Sequence, residues 1–307
     1  MKIKYILPDY YKDFACIKGE YRHNCCIGWE IDVDPVTLKK YKNVGGEFGE
    51  RLFKNISLDG EAHFVLAENE RCPFLNRHNL CDIIINLGED YLCQICDAHP
   101  RFRNELPDRI EVGLGLCCEA AARLILSKKE PVRFSPKIET DDEIILLRDE
   151  IISILQDRKI PLKERIDEVF SLLGTEKDGR STREWADVLL ELERLDEDWT
   201  SLLLKLKDFD GDTADFDRFM CERQSEYEQL LVYLIYRHFA NAPDFESAVA
   251  RARFAVLGYE VLRRLGAIVF SEKGDFTLEN QIELARLFSS EIEYSDENLY
   301  TILDELY

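Results

Sequence analysis

Residues 71–96 read RCPFLNRHNLCDIIINLGEDYLCQIC, which places four cysteines in the spacing Cys72-x8-Cys81-x11-Cys93-x2-Cys96. Two thiolates separated by two residues converge on one ion without strain, so Cys93-Gln-Ile-Cys96 is the pair a metal site uses. Thioredoxin-like redox pairs share that spacing, but they sit in a βαβ pattern that does not surround this pair. Upstream lie Cys16, Cys25 and Cys26, and downstream Cys117 and Cys118, so nine of the ten cysteines fall between 16 and 118 and only Cys221 lies beyond. That clustering makes Cys16, Cys25, Cys26, Cys72, Cys81, Cys93, Cys96 and Cys118 the candidate ligands. Adjacent side chains diverge, so one member of Cys117-Cys118 is expected to be a small buried apolar residue, and the same caution applies to Cys25-Cys26. His23, His78 and His99 lie within the cluster and are eligible as ligands, although hydrogen bonding is the commoner role. His63, His238 and Cys221 receive no functional reading. Structural zinc usually pairs two close knuckles. One close pair with a surplus of widely spaced cysteines suits an iron–sulfur cluster or two sites better, with zinc the alternative. The CxxxCxxC signature of radical enzymes is absent.

The 307 residues are 46% hydrophobic and 33% charged, a globular balance that excludes wholesale disorder. Pro8, Asp9, Lys12 and Asp13 interrupt the first residues, leaving no apolar stretch for a signal peptide, and no run approaches the ~20 apolar residues of a membrane span. A cytoplasmic protein is expected, and in that reducing compartment clustered cysteines bind metal more often than they form disulfides. The net charge of −21 is uneven: residues 139–307 hold 40 acidic and 20 basic residues, while 1–138 are nearly neutral. Nucleic acid is a poor partner for such a surface, and a lysine-rich protein suits it better. The plainer reading is a solvated acidic surface that aids solubility.

Trp29 to Asp34 alternates apolar and acidic residues at a strand-like period of two, Pro35 ends it, and Val36–Tyr41 begins a helix. Val44 to Gly49 is a glycine-marked turn, and Ala62–Leu66 is a second short strand. Glu119–Leu126 is a helix, and the two prolines within Ser127–Pro136 mark a boundary, giving domains at 1–132 and 133–307. Apolar residues at three- and four-residue spacing predict helices over Glu143–Leu155, Leu162–Leu173, Arg183–Leu206, Phe216–Phe239, Phe245–Leu265 and Leu278–Phe288, with a last one from Ser295 to Leu306. The expected fold is mainly α: a cysteine-rich metal-binding N-terminal unit with a few short strands, packed on an acidic C-terminal helical bundle with a tight turn near Gly274.

Several stretches resemble the flagellin lysine-N-methylase family, part of a broader CxxCxxCC group of zinc- or iron-chelating proteins. They are Cys25-Cys26-Ile27-Gly28-Trp29-Glu30-Ile31-Asp32-Val33-Asp34, Arg71-Cys72-Pro73-Phe74-Leu75-Asn76, Leu80-Cys81-Asp82-Ile83, Leu87 to Cys93 with Cys96, and His99-Pro100-Arg101-Phe102. Gly115 to Arg123 resembles the close of that family's cysteine region, and Tyr233 to Phe239 (YLIYRHF) its helical C-terminal part. The family pattern has a further cysteine before the Cys-Cys pair, where this chain has Tyr21. The resemblance implies methyl transfer from S-adenosylmethionine to lysines of flagellin or another lysine-rich protein. No glycine-rich Rossmann signal accompanies it, since Gly113-Leu114-Gly115 is too short. A carboxylate or tyrosine would orient the amine and accept its proton, for which Glu30, Asp32, Asp34 and Glu89 are candidates. Arg101 is a candidate carboxylate binder or a brace. The alternatives to a methylase are a non-catalytic metal-stapled binding module and a metal carrier or redox sensor.

Overall fold

A computed structural model describes residues 3–16 and 25–307. The contacts divide the chain at other places than 132/133: Ala15–Arg101 form one compact unit, and Met1–Phe14 with Phe102–Tyr307 form the other. Strand pairing is the physical reason. Strand β1 (Lys4–Pro8) joins a sheet whose remaining strands lie beyond residue 100, so the first residues belong with the helical part.

The Ala15–Arg101 unit holds α1 (Pro35–Tyr41), α2 (Gly46–Lys54), the two-residue strands β2 (Ile56–Ser57) and β3 (His63–Phe64), α3 (Asp82–Leu87) and α4 (Gln94–Ala98). Its core gathers Ile31, Val33, Tyr41, Leu52, Phe64, Phe74 and Ile83 together with Cys72 and Cys93. The period-two pattern at Trp29–Asp34 survives as alternating burial, Ile31 and Val33 in and Asp32 out. Its ladder is short, with Phe64 N–H donating to Ile31 O and Val33 N–H to Ala62 O, so the segment bridges β3 without becoming a regular strand. The glycine turn at Val44–Gly49 is instead where α2 starts. Gly49 packs so closely on the preceding turn that a Cβ there would lie 2.1 Å from Val44 O. Backbone cannot yield as a side-chain tip can, so Gly49→Ala should destabilise this unit by about 1–3 kcal/mol in denaturant titrations.

The other unit continues with β4 (Arg101–Glu105), β5 (Arg109–Leu114), α5 (Glu119–Leu126) and β6 (Phe134–Ser135). The sheet order is β4-β5-β1-β6, with β1 parallel to β5 (Lys4 opposite Arg109, Ile6 opposite Glu111) and antiparallel to β6. The proline-marked stretch 127–136 therefore supplies an edge strand. Helices follow almost without interruption: α6 (Glu143–Leu155), α7 (Leu162–Leu172), α8 (Thr182–Glu191), α9 (Glu197–Asp208), α10 (Ala214–Phe219), α11 (Gln224–His238), α12 (Phe245–Lys273), α13 (Leu278–Phe288) and α14 (Asp296–Glu305). The long α12 packs against α9, α10, α11, α13 and α14. The helix expected over Arg183–Leu206 is two helices, because Asp196 caps α9 and the Glu291 carboxylate accepts the N–H groups of Leu195 (3.0 Å) and Asp196 (2.9 Å). Buried Glu228 on α11 receives Arg158 and Arg165 (2.8 Å each), which fastens the α6–α7 corner onto α11. Gly274 ends α12 in the left-handed conformation, φ +72°, and Ser295 caps α14 as expected.

Candidate metal centre and a buried charge network

Six cysteines meet in the Ala15–Arg101 unit, each brought in by a turn or a helix start. The Cys25–Gly28 turn is pinned to the 70–72 stretch by Cys72 N–H donating to Cys26 O (2.7 Å) and Gly28 N–H to Glu70 O (3.1 Å). Cys81 immediately precedes α3 and Cys93 immediately precedes α4, while Cys96 lies one turn into α4. A residue just before a helix faces unpaired backbone N–H groups, which favour a sulfur anion. Those of Ile83 and Ile84 point at the Cys81 sulfur, and those of Phe74 and Leu75 at Cys72.

The thiols pair with one another. Hydrogen bonding with Cys26 lowers the pKa of Cys25 and that of Cys72, and raises that of Cys26 itself. Cys96 stands in that relation to Cys93, which it lowers while its own pKa rises. Burial raises Cys81. Repulsion between thiolates also links Cys72 to Cys81, Cys93 and Cys96. Among the described residues, no three or more His, Cys, Asp or Glu side chains are grouped so as to hold a metal ion. What the structure shows is a cysteine-rich unit whose thiols hydrogen-bond one another. The donor chemistry fits a thiophilic metal: soft sulfurs within one small unit, half of them with lowered pKa, Cys81 served by helix-start N–H groups and Cys72 by those of a turn.

The remaining sequence candidates divide clearly. Cys16 is exposed, and Cys221 is exposed in the turn Cys221–Arg223. Cys118 is buried at the start of α5 in the other unit. His23 and Tyr21 lie outside the described residues. Exposed His78 accepts from Arg77 (3.1 Å), and His63 bonds Glu61 O (2.8 Å). His99 packs edge-on against Trp29 at 5.5 Å, and burial, then the Arg101 charge, push its pKa down to about 4. Glu30, Asp32 and Glu89 are exposed. Asp34 caps α1 through Val36 and Thr37 and accepts the Gln94 N–H (2.9 Å); these bonds outweigh burial and lower its pKa. Arg101 donates to the carbonyls of Asp97 (3.1 Å) and His99 (3.4 Å), and so braces the end of α4.

A second constellation, in the helical unit, escaped the sequence reading. Buried Glu293 closes a π-turn, Ser289–Glu293, after α13. It accepts Tyr233 Oη at 3.0 and 3.1 Å, pairs with His238 Nε2 at 2.7 Å, and has Arg237 Nε at 3.4 Å. The Arg237 guanidinium lies 4.5 Å from the Tyr294 ring centre and 5.2 Å from that of Phe102, and donates to Tyr233 Oη (2.7 Å). Tyr294 also hydrogen-bonds Cys117, whose thiol burial pushes up to about 12, and its hydroxyl lies where a Cβ on Gly115 would come within 2.2 Å. Tyr233, Arg237 and His238 all fall in the YLIYRHF stretch; Glu293 lies in the polar, acidic stretch SSEIEYSDE, where nothing singles it out.

Burial lowers His238, and Glu293 is held below the usual carboxylate range by Arg237 and His238 against its own burial. Both groups therefore contribute stability that is complete above their unfolded pKa values, about 6.5 and 4.3, and is lost as pH falls below them. Stability measured by urea denaturation should decline from pH 7 to pH 4, and His238→Gln should flatten the upper part of that decline.

Residues 169–307 match the family model of the FliB lysine N-methylase C-terminal domain. The chain is similar to the lysine-N-methylases of Salmonella choleraesuis and Salmonella typhimurium, each 28% identical over 138 residues, 42% of this chain and 34% of the relative. It is also 27% identical over 149 residues to the flagellar biosynthetic protein FliU of Salmonella muenchen, covering 46% of this chain and 88% of that protein. The aligned stretch thus spans about a third of the two methylases' length. No solved structure matches. The matched domain contains the Tyr233–Arg237–His238–Glu293 network, whereas the cysteine motifs lie before it. No helix among the described residues is long and apolar enough to cross a membrane.

Proposed function

We propose, from the premise that this chain belongs through residues 169–307 to the FliB lysine N-methylase family, that it methylates lysine side chains of flagellin or another lysine-rich protein. The family match is the observation that carries this reading. S-adenosylmethionine is the proposed methyl donor. The lysine nitrogen lone pair attacks the sulfonium methyl carbon, the carbon–sulfur bond breaks, S-adenosylhomocysteine leaves, and one proton passes from nitrogen to a base. The amine must be neutral to react, so the base acts on an ammonium that the strongly acidic chain, net −21, draws to itself. Of the four carboxylates singled out in the sequence, Asp34 is committed to capping α1, while Glu30, Asp32 and Glu89 are exposed and open to an incoming lysine.

The proposal includes a cysteine-ligated centre, an iron–sulfur cluster with zinc the alternative. Cys25, Cys26, Cys72, Cys81, Cys93 and Cys96 supply the residues that would hold it, and each ligating thiol gives up its proton to solvent. Such a cluster supplies one-electron chemistry, whereas zinc ties the loops together. Two measurements on anaerobically isolated full chain test the function. Calorimetry with S-adenosylmethionine should show saturable binding, and mass spectrometry of co-incubated flagellin should show lysines heavier by methyl increments. Absence of both from metal-loaded protein defeats the methylase reading and leaves a binding module.

A further inference from the structure

Helix α1 and its cap are laid along the segment that presents Cys93 and hold four of its backbone groups. Lys40 Nζ donates to Asp90 O (2.6 Å), Tyr41 Oη to Tyr91 O (2.8 Å) and Thr37 Oγ1 to Leu92 O (3.3 Å), while Asp34 accepts the Gln94 N–H (2.9 Å). Residues 34, 37 and 41 recur at the three- and four-residue spacing that shares one helix face, so this grip is the design of that face. Tyr41 is 0% exposed, and its ring stacks on Phe64 at 6.3 Å. Its hydroxyl also lies 3.5 Å from the Cys93 sulfur.

A phenol has one hydrogen and here two acceptors beside it. The Tyr41 hydrogen goes to Tyr91 O (2.8 Å), and the Cys93 sulfur stands as the farther acceptor at 3.5 Å. Once Cys93 and Cys96 bind a metal their protons are gone, and the Cys93 sulfur is a buried, charged acceptor with Tyr41 Oη beside it. From this geometry we infer that Tyr41 is a positioning residue for the proposed centre, its hydroxyl turning from the Tyr91 carbonyl to the Cys93 thiolate when the metal is bound. This inference rests on the metal reading. A hydrogen bond to a ligating sulfur withdraws electron density from it, which raises the reduction potential of an iron–sulfur cluster and secures any ligated metal.

The test compares full-length parent with Tyr41→Phe, both isolated anaerobically. Phenylalanine keeps the ring on Phe64 and removes only the hydroxyl. Iron, zinc and sulfide per chain should be equal in the two proteins. If iron is present, the midpoint potential of Tyr41→Phe should shift to more negative values; if zinc is present, its release to a chelator should be about 10-fold faster. Installing 3-fluorotyrosine at position 41, a stronger donor of the same shape, should shift both readouts the opposite way. That second variant decides the matter should Tyr41→Phe fail to fold. Unchanged potential, or unchanged release, in both variants of a metal-loaded protein overturns the role of Tyr41 alone. A parent that carries neither iron nor zinc overturns the metal reading, and this inference with it.

Discussion

Glu293→Ala is expected to cost the helical unit about 3–5 kcal/mol, because it leaves Arg237 buried beside an empty volume with no counter-charge. The single carboxylate serves Tyr233, Arg237 and His238 together, so its loss strands three polar groups at once. Glu293→Ala combined with Arg237→Met should recover part of that loss, since an apolar side chain has no charge to strand. Chemical denaturation of the two variants measures the coupling. A single variant within 1 kcal/mol of the parent would mean that solvent reaches the cluster freely. The network fastens the π-turn and the loop at Cys117 onto α11, so the same change should loosen the start of α14 in hydrogen exchange.

The second large effect concerns metal. Cys72→Ser and Cys93→Ser should each lose most of the bound metal of anaerobically isolated protein, because both sulfurs are buried, biased toward the thiolate and bonded to a partner cysteine. Cys221→Ser should keep the full complement, its sulfur being exposed on a turn of the other unit. Elemental analysis reads all three. Parent-level metal in both Cys72 and Cys93 variants would remove the thiol cluster from consideration as the binding place.

Much of the helical part was legible in the sequence. Glu119–Leu126, Glu143–Leu155 and Leu278–Phe288 have the boundaries that periodicity predicts, the last two with side-chain caps from Asp142 and Thr277 that agree with the apolar spacing. Arg183–Leu206 failed because its break depends on Glu291, almost a hundred residues away, whose carboxylate caps the next helix. Cys25, Cys26, Cys72, Cys81, Cys93 and Cys96 fall in one compact unit, while Cys118 belongs with the helical unit because β5 leads it there. The resemblance was drawn largely from cysteine motifs, yet the family model matches the other half. Glu293 was illegible because nothing local marks an acid that is ionised inside a core; its partners come from a helix 55 residues earlier.

The parallel pairing of Lys4 with Arg109 carries a consequence for how the molecule is made. On the ribosome, the first strand must wait for more than a hundred residues before its neighbour emerges. The cysteine unit, Ala15–Arg101, is nested inside that wait and is compact in its own contacts. Once closed, it shortens the effective loop joining the two strands, which lowers the entropy of bringing them together. Whatever disturbs the nested unit, an unfilled thiol cluster included, is therefore expected to slow assembly of the helical unit.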